Sequence, residues 1–113
     1  MDINAVLDSL IAALKPSDPR KIVLFGSHAE QNAGEGSDID LLVILDSDHV
    51  SKTYSERLGK KAAVRSLVLE INRKVPLDLL VYSREELRLI KQLGNSFIDE
   101  IEKTGRTIYE KAS

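Results

Sequence analysis

Ile22-Val23-Leu24-Phe25-Gly26-Ser27, then nine residues, then Ser37-Asp38-Ile39-Asp40-Leu41-Leu42-Val43, is the stretch on which the fold turns. Residues 22–25 and 41–45 are short aliphatic runs of the kind that form buried strands. Gly26 and Ser27 end the first run and begin a tight turn or short helix. Residues 31–37, polar and carrying Gly34 and Gly36, read as a loop. The second run is entered through Asp38-Ile39-Asp40. A strand alternates its side chains, so positions 38 and 40 point to one face, with Cα atoms roughly 6.6 Å apart, two rises of about 3.3 Å.

Two carboxylates at that spacing repel unless something cationic sits between them. Oxygen donors with no cysteine or histidine in the pair suit a hard divalent cation, Mg²⁺ or Mn²⁺, and such ions bridge to substrate phosphates. A phosphate cradle is then needed nearby. Gly26 lets the backbone approach an anion closely, and Ser27 offers a hydroxyl and an amide at the start of a turn. Asp78, just ahead of an apolar run at residues 79–82, is the candidate third acid, placed to share a metal and to orient or deprotonate an attacking hydroxyl. Taken singly, each feature has a bland reading: a turn aspartate, a solvent-facing strand residue, a tight Gly-Ser turn, an edge-strand acid. Their order and spacing together favour the site.

Outward from this stretch the chain alternates helix and strand. Residues 2–14 carry Ile3, Val6, Leu7, Leu10, Ile11 and Leu14 at helical spacing behind Asp2 as N-cap. Residues 51–74 predict one long helix with Leu58, Ala62, Leu67 or Val68, and Ile71 toward the core. Its run Arg57, Lys60, Lys61 and Arg65 reads as a solvated face, with room for some pull on a nucleotide or partner. Residues 77–82 predict a third strand, started by Pro76. Ser83 and Glu86 form a capping box for a helix reaching about residue 93, which Gly94 closes. A short helix over 97–103, ended by Gly105, and a short strand at 107–109 complete the chain. The expected fold is α/β (α+β): a small mixed sheet flanked by helices.

The totals bound what such a domain does. The 113 residues suffice for a single domain, 1–113, with one modest core. Sixteen basic and eighteen acidic side chains give a formal charge of −2, without the basic excess that gripping a long nucleic acid calls for. Five aromatic residues, three Tyr and two Phe, make a base-stacking platform unlikely as well. Cysteine is absent, which excludes disulfides and thiolate chemistry and fits a cytoplasmic protein. No apolar run approaches bilayer length, and the first residues lack the layout of a secretory signal. His28 and His49 belong to no recognisable triad, and Tyr54 and Tyr109 read as packing residues.

The motif at residues 22–43, with ten residues between Ser27 and Asp38, resembles the DNA polymerase beta-like nucleotidyltransferase superfamily, and specifically its minimal (MNT) members. Residues 77–82 fit the strand bearing the third acid, residues 101–110 resemble the family's usual ending, and the likeness spans residues 20–110. It implies a polymerase beta-like palm fold and transfer of a nucleoside monophosphate, AMP from ATP, to an acceptor hydroxyl with release of pyrophosphate. By that resemblance Asp38, Asp40 and Asp78 are the catalytic, Mg²⁺-binding acids, and Gly26, Ser27 and Ser37 hold the nucleotide. It further implies an antitoxin role with a helical HEPN protein as partner and acceptor, and leaves room for a homo-oligomer. Family members often carry basic residues just after Gly-Ser, where this chain has His28, Glu30 and Gln31. That departure keeps a second reading open, a binding module that neutralises its partner by contact. Transfer to a small molecule is disfavoured, because no acceptor-binding domain follows.

Overall fold

Strands form where the aliphatic runs predict them, and both begin earlier than their apolar residues suggest. The computed structural model describes residues 2–30, 34 and 36–112. Among these, helix α1 (Ile3–Leu14) is followed by β1 (Pro19–Phe25), β2 (Ile39–Leu45), α2 (Tyr54–Leu67), α3 (Leu69–Lys74), β3 (Leu77–Ser83), α4 (Arg84–Gln92), α5 (Ser96–Thr104) and β4 (Arg106–Glu110). Asp2 caps α1 through the amides of Asn4 and Ala5, as its position before the apolar repeat requires.

The four strands are ordered β3-β2-β1-β4. Strand β1 runs antiparallel to β2 and β4, while β2 and β3 run parallel. The parallel pair needs a crossover, and α2 with α3 supplies it. Central strand β2 is covered on both faces, which explains its unbroken aliphatic run. Ile39, Leu41 and Val43 pack with Leu7, Leu10, Leu14, Val64 and Val68 on the α1–α2 side. Leu42 and Ile44 pack with Val23, Phe25, Ile98 and Ile101 on the side of α4 and α5. The mixed sheet with helices on both faces is the expected architecture.

The long helix expected over 51–74 is instead two helices, with a break at Val68, whose backbone (φ −111°, ψ 13°) leaves the helical region. Its inward stripe matches in part: Val68 and Ile71 face the core as expected, and Leu58, Ala62 and Leu67 do not. Val64 and Val68 are buried, whereas Leu58, Leu67 and Leu69 are 49%, 36% and 44% exposed, and Ala62 is exposed too. The Val64–Val68 row turns inward together with Lys60, one turn earlier, whose ammonium is held by Glu86 in the first turn of α4. That leaves the Leu58–Ala62 row facing solvent. Tyr54 is exposed rather than packed.

The capping box forms as read: Ser83 Oγ accepts from the Glu86 amide, and Glu86 Oε1 accepts from the Ser83 amide. Glu86 does more than cap. Its carboxylate, 6% exposed, also takes the Ser51 amide at 2.9 Å and the Lys60 ammonium at 2.6 Å. Burial pushes its pKa up, but Lys60 and the two amides outweigh that and hold it at about 2, against an ordinary 4.5. The folded-state value is depressed, so the stability it contributes is present above pH 4.5 and is lost as pH falls toward 2. Glu86→Ala strips the partner from a nearly buried ammonium and two amides. The expected cost is about 3 kcal/mol, or roughly 12 °C in Tm for a chain of this size, read by thermal melts at pH 7. At pH 2 the gap between the two proteins should narrow.

Candidate active site

The site lies where β1 ends and β2 and β3 begin. In the antiparallel pair Phe25 stands opposite Asp40, and in the parallel pair Asp40 stands opposite Asp78. One row across three neighbouring strands thus carries the end of the Gly-Ser strand, the second carboxylate of Asp38-Ile39-Asp40, and the third acid. Adjacent strands lie about 4.8 Å apart, and residues paired across them share a face. Asp40 has the parity of Leu42 and Ile44, and Asp78 that of Leu80 and Tyr82, so both emerge on the α4–α5 side.

Asp38 comes immediately before the first strand residue, Ile39, and is exposed; Asp40 is half-buried and Asp78 exposed. Asp40 senses the other two acids. Burial raises the Asp40 pKa above the usual carboxylate range, and the charges of Asp78 and Asp38 raise it further, with His28 partly countering them. A carboxylate in this position is satisfied by a cation.

Gly26 is locked into the site by conformation and by space. Its φ of 75° lies in the left-handed region, and a Cβ built on it would collide with Asp40 Oδ2 and stand 3.2 Å from Asp40 Cγ. The backbone therefore passes directly against the Asp40 carboxylate, a close approach that glycine alone allows. Residues Gly26–His28 form a single 3-10 turn, closed by the Ala29 and Glu30 amides on the Gly26 carbonyl at 3.1 Å each. Ser27 thus sits beside the carboxylate row. Ser37 is tied to the same turn: its carbonyl lies 3.2 Å from His28 Nε2, and its hydroxyl accepts from the Gly34 amide at 3.0 Å. The structure brings Gly26, Ser27, Ser37, Asp38, Asp40 and Asp78 together at one end of the sheet. Glu30 is exposed, and Gln31 lies outside the described residues.

Among the described residues, no three His, Asp or Glu groups stand close enough to form a ready-made metal cage. The donor set fits a different demand. Mg²⁺ and ions like it are commonly held by one or two carboxylates and complete their shell with substrate phosphate and water. A mutually repelling set of aspartates beside a glycine-lined backbone matches that chemistry.

Sequence reading missed three neighbours of this row. His28, outside any triad, makes a local hydrogen bond to the Ser37 carbonyl, and its charge acts on Asp40. Phe97, 57% exposed on α5, stands edge-on to Phe25 with ring centroids 6.1 Å apart. Lys61 and Arg65 line a cleft of about 210 Å³ with Asp78 and Asn72. Both are exposed, as a solvated face requires, and their i, i+4 spacing was the signal that would have singled them out of the basic run. In fact that run divides: Arg57 lies 4.5 Å over the Tyr82 ring, Lys60 pairs with Glu86, and only Lys61 and Arg65 turn to the cleft.

A sequence profile of the family described as polymerase beta, nucleotidyltransferase matches residues 8–113. The chain belongs to that family. Nucleotidyltransferases of this kind generally use a nucleoside triphosphate and a divalent metal, which is the chemistry the aspartate row and the glycine turn accommodate. No curated protein matches the sequence significantly. Among solved structures, the fold is similar to a toxin–antitoxin structure with AMP-PNP, at 16% identity and TM-score 0.56, covering 92% of this chain and 73% of that one. It is also similar to a Sulfolobus solfataricus protein described as a candidate nucleotidyltransferase, at 16% identity, TM-score 0.52 and coverage of 95% and 88%. A third is the MntA-HpeT toxin–antitoxin with two aspartates replaced by glutamate, at 14% identity, TM-score 0.52 and coverage of 92% and 72%. At these identities the likeness establishes the nucleotidyltransferase fold. Among the described residues, no helix is long and apolar enough to cross a membrane.

Proposed function

We propose that this nucleotidyltransferase transfers AMP from ATP to a hydroxyl of a partner protein, a HEPN-type toxin that it thereby neutralises in the cytoplasm. The observation that carries the reading is the register of Phe25, Asp40 and Asp78 across three strands, with Gly26 pressed against the Asp40 carboxylate. The toxin–antitoxin structures among its fold neighbours, one of them with AMP-PNP, support the choice of nucleotide and partner.

In this reading Asp38 and Asp40, with Asp78, hold Mg²⁺ or Mn²⁺, which when bound neutralises phosphate charge. The amide-rich turn at Gly26, Ser27 and Ser37 receives the outer phosphates. The acceptor oxygen attacks the α-phosphorus and forms the new P–O bond, and the bond from that phosphorus to the bridging oxygen of the β-phosphate breaks. Pyrophosphate leaves with the electron pair. The acceptor's proton passes to the exposed Asp78 carboxylate and on to water. Incubating the chain with labelled ATP, Mg²⁺ and its HEPN partner should place AMP on that partner. Absence of label, with Asp38→Asn indistinguishable from wild type, overturns the catalytic reading.

One observation favours a second reading, neutralisation by contact alone. The positions that carry cations in many relatives hold His28, whose Nε2 is already engaged by the Ser37 carbonyl, and an exposed Glu30. That reading expects Asp38→Ala and Asp40→Ala to neutralise the partner fully. Loss of neutralisation with binding retained excludes it.

A further inference from the structure

In-line displacement at phosphorus puts the attacking and leaving oxygens on opposite sides. Strand order then fixes the flank from which an acceptor approaches. The Gly26–Ser27 turn adjoins Asp40 from the β1 side and Asp78 adjoins it from the β3 side. With pyrophosphate leaving over the turn, the acceptor enters past β3, which is an edge strand. That edge is where the cleft of about 210 Å³ opens between β3 and α2, lined by Lys61, Arg65, Val68, Asn72, Leu77, Asp78 and Leu79.

The cleft has a definite charge. Lys61 and Arg65 are exposed, and among the described residues neither forms an ion pair. Ten of the sixteen Lys and Arg side chains stand outside any ion pair among the described residues, and Lys61 and Arg65 are the two of them that line this cleft. The chain as a whole carries a net −2, and this cleft sets two cations, Lys61 and Arg65, beside Asp78. Next to it the apolar row Tyr54, Leu58 and Leu69 is exposed, and Leu58 and Leu69 flank the same two cations in an adjoining hollow. Phosphate backbones would leave those apolar groups bare, and a second copy of this face would set cation against cation.

We infer that the β3 edge is the acceptor site and that it takes a polypeptide segment whose hydroxyl residue is flanked by acidic side chains, read by Lys61 and Arg65 while the hydroxyl is delivered to Asp78. This assignment rests on the transferase reading above. It names the chemistry of the acceptor, which that reading leaves open.

The test uses the full chain with Mn²⁺ and AMP-PNP and three fluorescent probes. These are a decapeptide with a central Tyr among Asp and Glu, the same peptide with Lys in place of the acids, and an oligo-dT of equal charge to the acidic peptide. The acidic peptide should bind at least tenfold tighter than the basic one. The double variant Lys61→Glu with Arg65→Glu should reverse that order and leave Mn²⁺–AMP-PNP affinity unchanged. Both side chains are exposed, and an unaltered melting curve confirms the fold. Equal binding of the two peptides, or preference for oligo-dT, overturns the acceptor assignment and leaves nucleotide transfer standing. An equal loss of AMP-PNP affinity in the double variant overturns it too, by showing that these cations serve the nucleotide. If wild type binds no Mn²⁺–AMP-PNP at all, the transferase reading fails and the acceptor assignment with it.

Discussion

Asp40→Asn is expected to abolish nucleotide transfer and, without metal, to leave the protein more stable than wild type. On the proposed reading, the loss follows from removing one of the three carboxylates that would hold the divalent ion, several kcal/mol of charge stabilisation, or roughly a thousandfold or more in rate. The gain follows from repulsion. Burial and the charges of Asp78 and Asp38 raise the Asp40 pKa, so the folded protein holds that proton more tightly than the unfolded chain does. The contribution of Asp40 to stability is therefore highest below the ordinary value of 3.8 and declines as pH climbs through the raised folded-state value. An amide of the same shape removes that decline. Thermal melts of both proteins at pH 7 with chelator should show the variant melting higher, and excess Mn²⁺ should raise wild type only. A variant that melts lower without metal would mean that Asp40 has a structural partner rather than a repelling neighbour.

Gly26→Ala is expected to damage both fold and site. A φ of 75° is unfavourable for any residue with a Cβ, and the new methyl would enter space held by Asp40 Oδ2. A loss of roughly 2 kcal/mol in stability is expected. Displacing the carboxylate should weaken Mn²⁺–ATP binding on the order of 100-fold, the scale seen when the support of a metal ligand is removed. Gly36→Ala is the control. It too has positive φ, 79°, but a Cβ there meets nothing within 4 Å. It should share the conformational cost and keep nucleotide affinity. Equal loss of affinity in both variants would trace the effect to backbone strain alone.

Much of this was legible in the sequence because the informative signals are local. Gly-Ser after one aliphatic run and Asp-Ile-Asp before the next mark the two facing ends of a hairpin. Ser83 with Glu86 marks a helix start. Even the pairing of Asp78 with Asp40 follows once residues 77–82 read as a strand beside residues 41–45. The failures are of another kind. Leu58, Ala62 and Leu67 look like a core stripe by spacing, but the buried row takes the side on which Lys60 meets Glu86, a contact 26 residues away. The break at Val68 has no glycine or proline to announce it. The cleft beside Asp78 depends on which face of α2 meets β3, and no periodicity in α2 alone decides that.

The strand order also separates the site by how its halves come together during folding. Gly26, Ser27, Asp38 and Asp40 sit on one antiparallel hairpin whose facing residues, Phe25 and Asp40, are close in sequence. Asp78 joins only after the α2–α3 crossover has been laid down and β3 has paired with β2. Local pairings close at lower entropic cost than distant ones. On the proposed reading, the nucleotide half of the centre belongs to the short-range part of the fold, and the acceptor half to the long-range part. Changes along the crossover would then remodel what is modified more than what is donated.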